Sequence, residues 1–464
     1  MENRTISAIS TPFGKGGIAV IRISGMHALD VAKKMFFPAS GSDLSQLDGG
    51  SAVYGRIKSG GSVIDDGIAT VFFAPRSFTG EDVVEISCHG GILLSERVLA
   101  ETFACGAVQA EAGEFTQRAF LNGNLDLTAA EAVIGLIEAE SEEKLRLCAS
   151  HAQGVLSKRA DEIYGRLVRL ISSVYVKLDY PEEDLAEVSD GQFLLEMERI
   201  HEMLEQTSAT YRQGKAVSEG VKTALIGKPN AGKSSLLNLL AGEERAIVTS
   251  VPGTTRDVIE EKVSAGRIVL RLFDTAGIRE SDDEVEKIGI ERARKKADEA
   301  DMIFAVIDSS SPLDGQDREV IDMANAYAEG GKAVIAIMSK SDVQSAIEED
   351  ELRAMLSPSV KVCQVSSVTG QGCKELKNAA EAFFCDGVID YESTAVVVNA
   401  RQFSALREAA DAVERATAAF KCGMGADICG LDLERAASAI GQIDGRAVSE
   451  EITNDIFHRF CVGK

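Results

Sequence analysis

The stretch GKPNAGKSS, residues 227–235, carries the spacing G-x-x-x-x-G-K-S directly after the apolar run KTALIG and just before LLNLLAG. Strand, glycine-rich loop and helix in that order form a phosphate cradle. Gly227 and Gly232 let the backbone curl so that the N–H groups of Asn230, Ala231 and Gly232 face one anion, and the helix that follows adds the positive end of its dipole. Lys233 is placed to reach β- and γ-phosphates and Ser234 to ligate Mg²⁺, with Ser235 next in the same turn. A second apolar run ends in DTAG, where Asp274 can hold Mg²⁺ and Gly277 can meet the γ-phosphate, with Thr275 and Ala276 between them. Between the two lies PGTTRD, in which Thr255 can complete the Mg²⁺ shell when the loop closes. After AVIAIM comes SKSD, where Asp342, flanked by Ser339 and Lys340, offers the two acceptor oxygens that take the N–H groups of a guanine edge.

These pieces together resemble the GTPase family, and VSSVTGQG resembles its fifth motif, whose backbone at Ser366, Ser367 and Val368 covers the base. The resemblance implies that Thr249, Ser250, Val251, Pro252, Gly253 and Thr254 line the nucleotide. Two places depart. The base motif usually opens with Asn, and the shorter Ser339 is expected to brace the base loop less well and weaken nucleotide affinity, while guanine choice rests on Asp342. Many small GTPases orient the attacking water with a Gln directly after the DTAG-type motif, but Ile278 stands there and has no polar group. The carboxylates of SDDEVEKIG, just downstream, are the nearby substitutes, most of them reading as solvated loop charges.

Residues 1–122 hold short β-type runs (GIAVIRIS, SVIDDGIATVFFAP, EDVVEIS) broken by Gly, Pro and Ser, as a compact α+β domain would. Over 123–218 strand signals vanish and apolar residues recur at helical spacing, as in Leu167, Leu170, Ile171, Val174 and Leu178, which reads as bundle core. Residues 219–382 alternate β and α in the manner of a doubly wound sheet, and 383–464 are helical again. The chain is thus expected to be an α/β multidomain protein in which a Ras-like P-loop domain interrupts one helical domain.

With 49 basic and 73 acidic residues the net charge is -24, which argues against a broad grip on nucleic acid, so a polynucleotide substrate would be held mostly by a partner. MENRTISAIS lacks a charged-then-apolar signal pattern, and apolar runs such as MIFAVI are far too short to span a bilayer, so a cytoplasmic protein without membrane contact is expected. Nine scattered cysteines without a Cys-x-x-Cys pair fit a reduced compartment and read mostly as small buried hydrophobes. One of them, Cys461, stands four residues from the end in CVGK. Lys464 fits neither preference of a Cys-a-a-X lipid anchor, and no polybasic run precedes it.

The motifs ISTPFGKGGIAVIRISG, PRSFTGEDVVEISCHGG, EAGEFTQRAFLNGNLDLTAAEAV, VPGTTRDVIEE, DTAGIRESDDEVEKIGIER and the terminal CVGK resemble the tRNA-modification GTPase family called MnmE or TrmE, across essentially the whole chain. That resemblance implies a GTP hydrolase, a folate-binding N-terminal domain that pairs two subunits into a homodimer, and a flavoprotein partner of the GidA or MnmG kind, carrying FAD, in a heterotetramer or larger assembly. Together they would build an aminomethyl or carboxymethylaminomethyl group on C5 of wobble uridine in tRNA, from 5-formyltetrahydrofolate or 5,10-methylenetetrahydrofolate. It also implies a K⁺ ion at Asn230, Thr249, Val251 and Thr254 and Mg²⁺ at Ser234 and Thr255, and it aligns the water-orienting carboxylate with Glu286. Folate contacts fall on Arg22, Glu85, position 124 and Lys464, and Cys461 is carried over as a participant in the modification chemistry. The family usually reads NGKLDL where this chain has NGNLDL, so Asn124 supplies no positive charge.

Two other readings compete. A GTP-switched assembly factor of the ribosome-biogenesis type would share PNAGKSSLLN but would add a basic RNA-binding module, which this chain lacks. A metal enzyme using SCHGG has one Cys–His pair, short of a zinc site's ligand count; His89 then reads as structural or near the folate.

Overall fold

The computed structural model describes residues 4–179, 189–243, 260–273, 295–385, 387, 389–424 and 426–464. They form two compact units, one from Met1–Ile134, His151–Val168 and Glu434–Lys464, the other from Gly135–Ser150 and Arg169–Leu433.

The first unit is built on a sheet of seven described strands: β1 (Ile6–Ile9), β2 (Ile18–Ser24), β3 (Phe36–Pro38), β4 (Ala52–Ser59), β5 (Ser62–Phe72), β6 (Val83–His89) and β7 (Val108–Gln109), in the order β3-β4-β5-β6-β2-β1-β7. All neighbours are antiparallel except β1 and β7. Successive strand side chains point to opposite faces. In β2 that sends Ala19, Ile21 and Ile23 into the core and leaves Arg22 on the other side; in β6 Val84, Ile86 and Cys88 go in and Glu85 does not. The buried face packs on the helices Ala28–Met35 and Ile92–Ala104. Farther along, Phe457 and Phe460 at the end of the helix Glu450–His458 close a small cluster with Ala130, Phe120 and Ile134.

The second unit contains a sheet of six described strands: β8 (Val221–Ile226), β9 (Glu260–Ala265), β10 (Ile268–Phe273), β11 (Met302–Asp308), β12 (Ala333–Ser339) and β13 (Lys361–Gln364), in the order β13-β12-β11-β8-β10-β9. The pairs are parallel except β9 with β10, which makes an antiparallel edge that the alternating pattern of apolar runs did not announce. Strands β11 and β12 are buried at every residue, because helices cover both faces of a parallel sheet, and so they read as unbroken apolar runs. The long helices Asp190–Ala209 and Ala400–Lys421 of this unit lie far apart in sequence and pack together, with the rings of Phe193 and Phe420 tilted against each other at 5.0 Å and Lys421 paired with Glu198.

Candidate functional site

Strand β8 delivers the chain into the loop 227–232, and the helix Lys233–Glu243 follows. Two left-handed positions curl this loop, Asn230 with φ 60° and Gly232 with φ 97°. Asn is among the few side chains that tolerate that region, and Gly takes it freely. The Lys233 ammonium folds back into the ring of the loop and donates to the carbonyls of Gly227 at 2.7 Å and Lys228 at 2.8 Å. Ser234 and Ser235 are exposed at the first turn of the helix, where orphan N–H groups leave room for an anion and its cation.

The base motif stands at the end of β12, and hydrogen bonds tie it to the phosphate loop. Ser339 is buried, and its hydroxyl donates to the carbonyl of Ala231 at 2.6 Å, with Ile307 O farther off at 3.1 Å. The shorter side chain therefore still reaches the phosphate loop across 108 residues, where a weaker brace was expected. Lys340 has φ 58° and places its ammonium 2.5 Å from Asp308 at the end of β11. Burial opposes the Asp308 charge, yet Lys340 and the Ser310 hydroxyl and N–H hold its carboxyl below the usual range. Asp342 accepts from the hydroxyl of Ser366 at 2.7 Å, and that same oxygen of Ser366 accepts the N–H groups of Val368 and Thr369. The geometry thus gathers Ala231, Ser339, Asp342, Ser366 and Val368 around one end of the parallel sheet, with Ser367 between its neighbours in the same loop. Ligands bind at the carboxyl ends of strands in such sheets.

One group went unnoticed in the sequence. Lys228, inside the phosphate loop, pairs with Asp314 at 2.9 Å and with the buried Asp317 at 2.6 Å, and the Asp317 bond leads in raising its pKa. Asp314 caps the helix Gly315–Glu329, with Asp317 answering its backbone N–H, so the spacing D-x-x-D in LDGQD was the available signal. Thr249, Ser250, Val251, Pro252, Gly253, Thr254, Thr255, Asp274, Thr275, Ala276, Gly277 and Glu286 lie outside the described residues.

In the first unit, Arg22 and Glu85 are direct cross-strand partners and form an ion pair with Nε 2.8 Å from Oε1. The Arg22 guanidinium lies between two rings, 5.3 Å from the centroid of Phe78 and 5.6 Å from that of Phe115. Asn124 donates to the carbonyls of Ser77 at 2.9 Å and Phe78 at 3.3 Å, so the loop before β6 is fastened to the turn that carries Asn124. That loop is also held by Arg118, which bonds both oxygens of Glu81 at 3.1 and 3.0 Å, and by Ser24, which donates to Glu81 at 2.8 Å. The terminal segment docks on the same unit. Val462 bridges Ala112, the N–H of Gly113 donates to Cys461 O at 3.4 Å, and Ser10 donates to Gly463 O at 3.0 Å. Cys461 is exposed, Lys464 is half-buried, and Arg459 is engaged with Asp455 at 2.6 Å.

Six of the nine cysteines are buried, and burial pushes the Cys88 thiol up to about 11. His89 Nδ1 donates to the Asp65 carboxylate at 2.8 Å, a bond that raises its pKa. Its ligand atoms and those of Asp65 and Asp66 lie within 4.8 Å of one another, but the Asp65 oxygens already serve the ring and backbone of His89. Among the described residues no helix is long and apolar enough to cross a membrane.

The model of the N-terminus of the GTP-binding protein TrmE matches residues 5–124, and that of the MnmE helical domain matches 127–461. The tRNA modification GTPase MnmE of Listeria innocua is 40% identical over 465 residues, covering 100% of both chains. That of Geobacillus kaustophilus is 41% identical over 466 residues with the same coverage. A solved structure, the G domain of the T. maritima iron transporter FeoB, aligns with 35% of this chain and 98% of its own at 30% identity and a TM-score of 0.25. A family model over more than half of the chain and relatives matched from end to end give one assignment: the chain belongs to the family of the tRNA modification GTPase MnmE.

Proposed function

We propose that this chain is a potassium-activated GTP hydrolase that, with a GidA- or MnmG-type flavoprotein carrying FAD, installs an aminomethyl or carboxymethylaminomethyl group on C5 of wobble uridine in tRNA. The one-carbon donor is a reduced folate, 5-formyl- or 5,10-methylenetetrahydrofolate, and the working form is a homodimer joined to that partner. The end-to-end match at 40% identity carries the reading.

The described residues suit the roles assigned to them. In the phosphate loop the curled backbone and Lys233 hold the β- and γ-phosphates, Ser234 at the exposed helix start has an oxygen for Mg²⁺, and Asn230 has one for K⁺. When bound, the two cations neutralise charge on the transferring phosphoryl group, a service worth roughly 10³ to 10⁵ in rate where an arginine supplies it. Asp342 takes the guanine N–H groups, using the lone pairs that Ser366 leaves free. Glu286 orients the attacking water in place of the missing Gln. On the first unit, Glu85 has an oxygen free of the Arg22 pair to receive the N–H groups of a pterin, while Arg22 and Lys464 supply positive charge for the folate's carboxylates and carbonyl. Cys461 serves as proton donor or nucleophile, on a tail whose backbone is anchored at Ser10 and Ala112.

The decisive experiment deletes the gene, measures modified wobble uridine in bulk tRNA by mass spectrometry, and restores the gene with the full chain, with Cys461→Ser, or without residues 461–464. The full chain restores the modified base and the other two do not, while all three purified proteins hydrolyse GTP faster in K⁺ than in Na⁺. Restoration by Cys461→Ser removes the thiol from the chemistry, and equal rates in the two salts remove the potassium role.

A further inference from the structure

We infer that Phe78 is a ring-stacking wall of the folate site, and that Asn124 is a positioning residue which acts by holding Phe78 rather than by touching the ligand. This rests on the folate reading given above.

Three observations meet at Phe78. It stands in the loop between β5 and β6 with 38% of its surface exposed, a large apolar side chain left partly in water beside the Arg22–Glu85 pair. Its ring faces the Arg22 guanidinium at 5.3 Å, and Phe115, fully buried, faces it at 5.6 Å, so the cation is oriented by two π-systems and a carboxylate. Thirdly, both side-chain hydrogen bonds of Asn124 go to the backbone of this loop, at Ser77 and at Phe78 itself.

These contacts define a chemical complement. Glu85 engages Arg22 through one carboxylate oxygen, so the other remains an acceptor, and beside it stands the accessible flank of an aromatic ring. An acceptor that takes N–H groups next to a ring that offers a flat apolar surface fits a planar nitrogen heterocycle bound by its edge and its face together. A pterin has that form. An aliphatic or purely anionic ligand would use Arg22 and leave Phe78 idle. Asn124 enters through its side-chain amide, whose NH₂ group is spent on two carbonyls of the loop, the second being that of Phe78. Removing the amide takes away the two bonds at Ser77 and Phe78 while Glu81 stays tied to Arg118 and Ser24, so the loosening is confined to the Phe78 end of the loop and the effect of position 124 travels through residue 78.

The test is calorimetry of the full-length protein with 5-formyltetrahydrofolate, with urea titration of each variant followed by circular dichroism as a check on folding. Phe78→Ala weakens binding by about five- to twentyfold, and Phe78→Tyr, which keeps the ring, restores it to within about twofold. Asn124→Ala weakens binding roughly three- to fivefold in the native chain and has no further effect in the Phe78→Ala background, the non-additivity of residues that act through one contact. Equal binding by Phe78→Ala and the unmodified chain overturns the wall, and an Asn124→Ala loss that persists in full without Phe78 overturns the positioning role. No heat with the unmodified chain removes the folate reading itself, and this inference with it.

Discussion

At the scale of single residues, the candidate GTP site is held by hydrogen bonds whose partners are distant in sequence. Ser339 to Ala231 is the plainest: one hydroxyl joins the base motif to the phosphate loop inside the core. Ser339→Ala leaves the Ala231 carbonyl without that donor, and the affinity for a fluorescent GTP analogue falls about fivefold, the worth of roughly 1 kcal/mol; unchanged affinity would show that the bond does not brace the loop. Asp342→Asn exchanges an acceptor for a donor at the place proposed for the guanine N–H groups. In competition assays its preference for GTP over XTP falls at least about tenfold, and a retained preference would move the base away from SKSD. The sequence revealed the types and spacing of these residues because phosphate and guanine each demand a local pattern. It could not reveal that Ser339 reaches Ala231, or that Lys228 is spent on Asp317, because such contacts exist only once the sheet has brought strand ends together.

At the scale of elements, the helix Glu114–Leu121 links the parts of the first unit. Its Glu114 and Arg118 are both buried and paired at 2.8 Å, Arg118 goes on to Glu81 in the loop of Phe78, and Phe120 meets Phe457 of the terminal helix at 6.1 Å. Burial by itself would raise the Glu114 pKa. The N–H of Glu111, Arg118 and Arg4 outweigh it and leave the carboxyl below its ordinary value. A carboxyl depressed in the folded state stabilises at pH values above its unfolded pKa and loses that contribution as the pH falls through the folded one. Glu114→Gln is therefore destabilised by about 2 kcal/mol at pH 7, as urea titration followed by circular dichroism will record. The gap from the unmodified chain closes as the pH is lowered below the carboxylate range, and a gap independent of pH would mean that Glu114 acts by shape alone. Strands β2 and β6 were legible because IAVIRIS and VVEISCH are short runs rich in β-branched residues, and with them Arg22 and Glu85. Strand β4, AVYGRIKS, was not: its buried positions are Gly55 and Ile57, and a glycine contributes no apolar signal. The antiparallel edge strand β9, EEKVSA, is masked in the same way by its charges.

At the scale of the whole molecule, the first unit is made from both ends of the chain. Its last join is narrow. Gly463 has φ 98°, and a Cβ there would stand 2.2 Å from the carbonyl oxygen of Ile9, so Gly463→Ala cannot keep the seat that Ser10 and Ala112 give the tail. That variant hydrolyses GTP within about twofold of the unmodified chain yet restores several times less modified uridine in the deletion strain, both on the order of what loss of one docked segment allows. Normal modification would mean that the tail works undocked. The same join sets an order of events during synthesis. About 340 residues separate the turn at Asn124 from Cys461, so at 5–20 residues per second a ribosome needs roughly 20–70 s to supply the closing segment after the first one has emerged. The sheet that carries the candidate nucleotide site lies wholly within that interval and can be complete while Val462, the bridge partner of Ala112, is still inside the exit tunnel. A chain released without residues 461–464 is then expected to turn over GTP and to fail in modifying tRNA, because the seat at Ser10 and Ala112 stays empty.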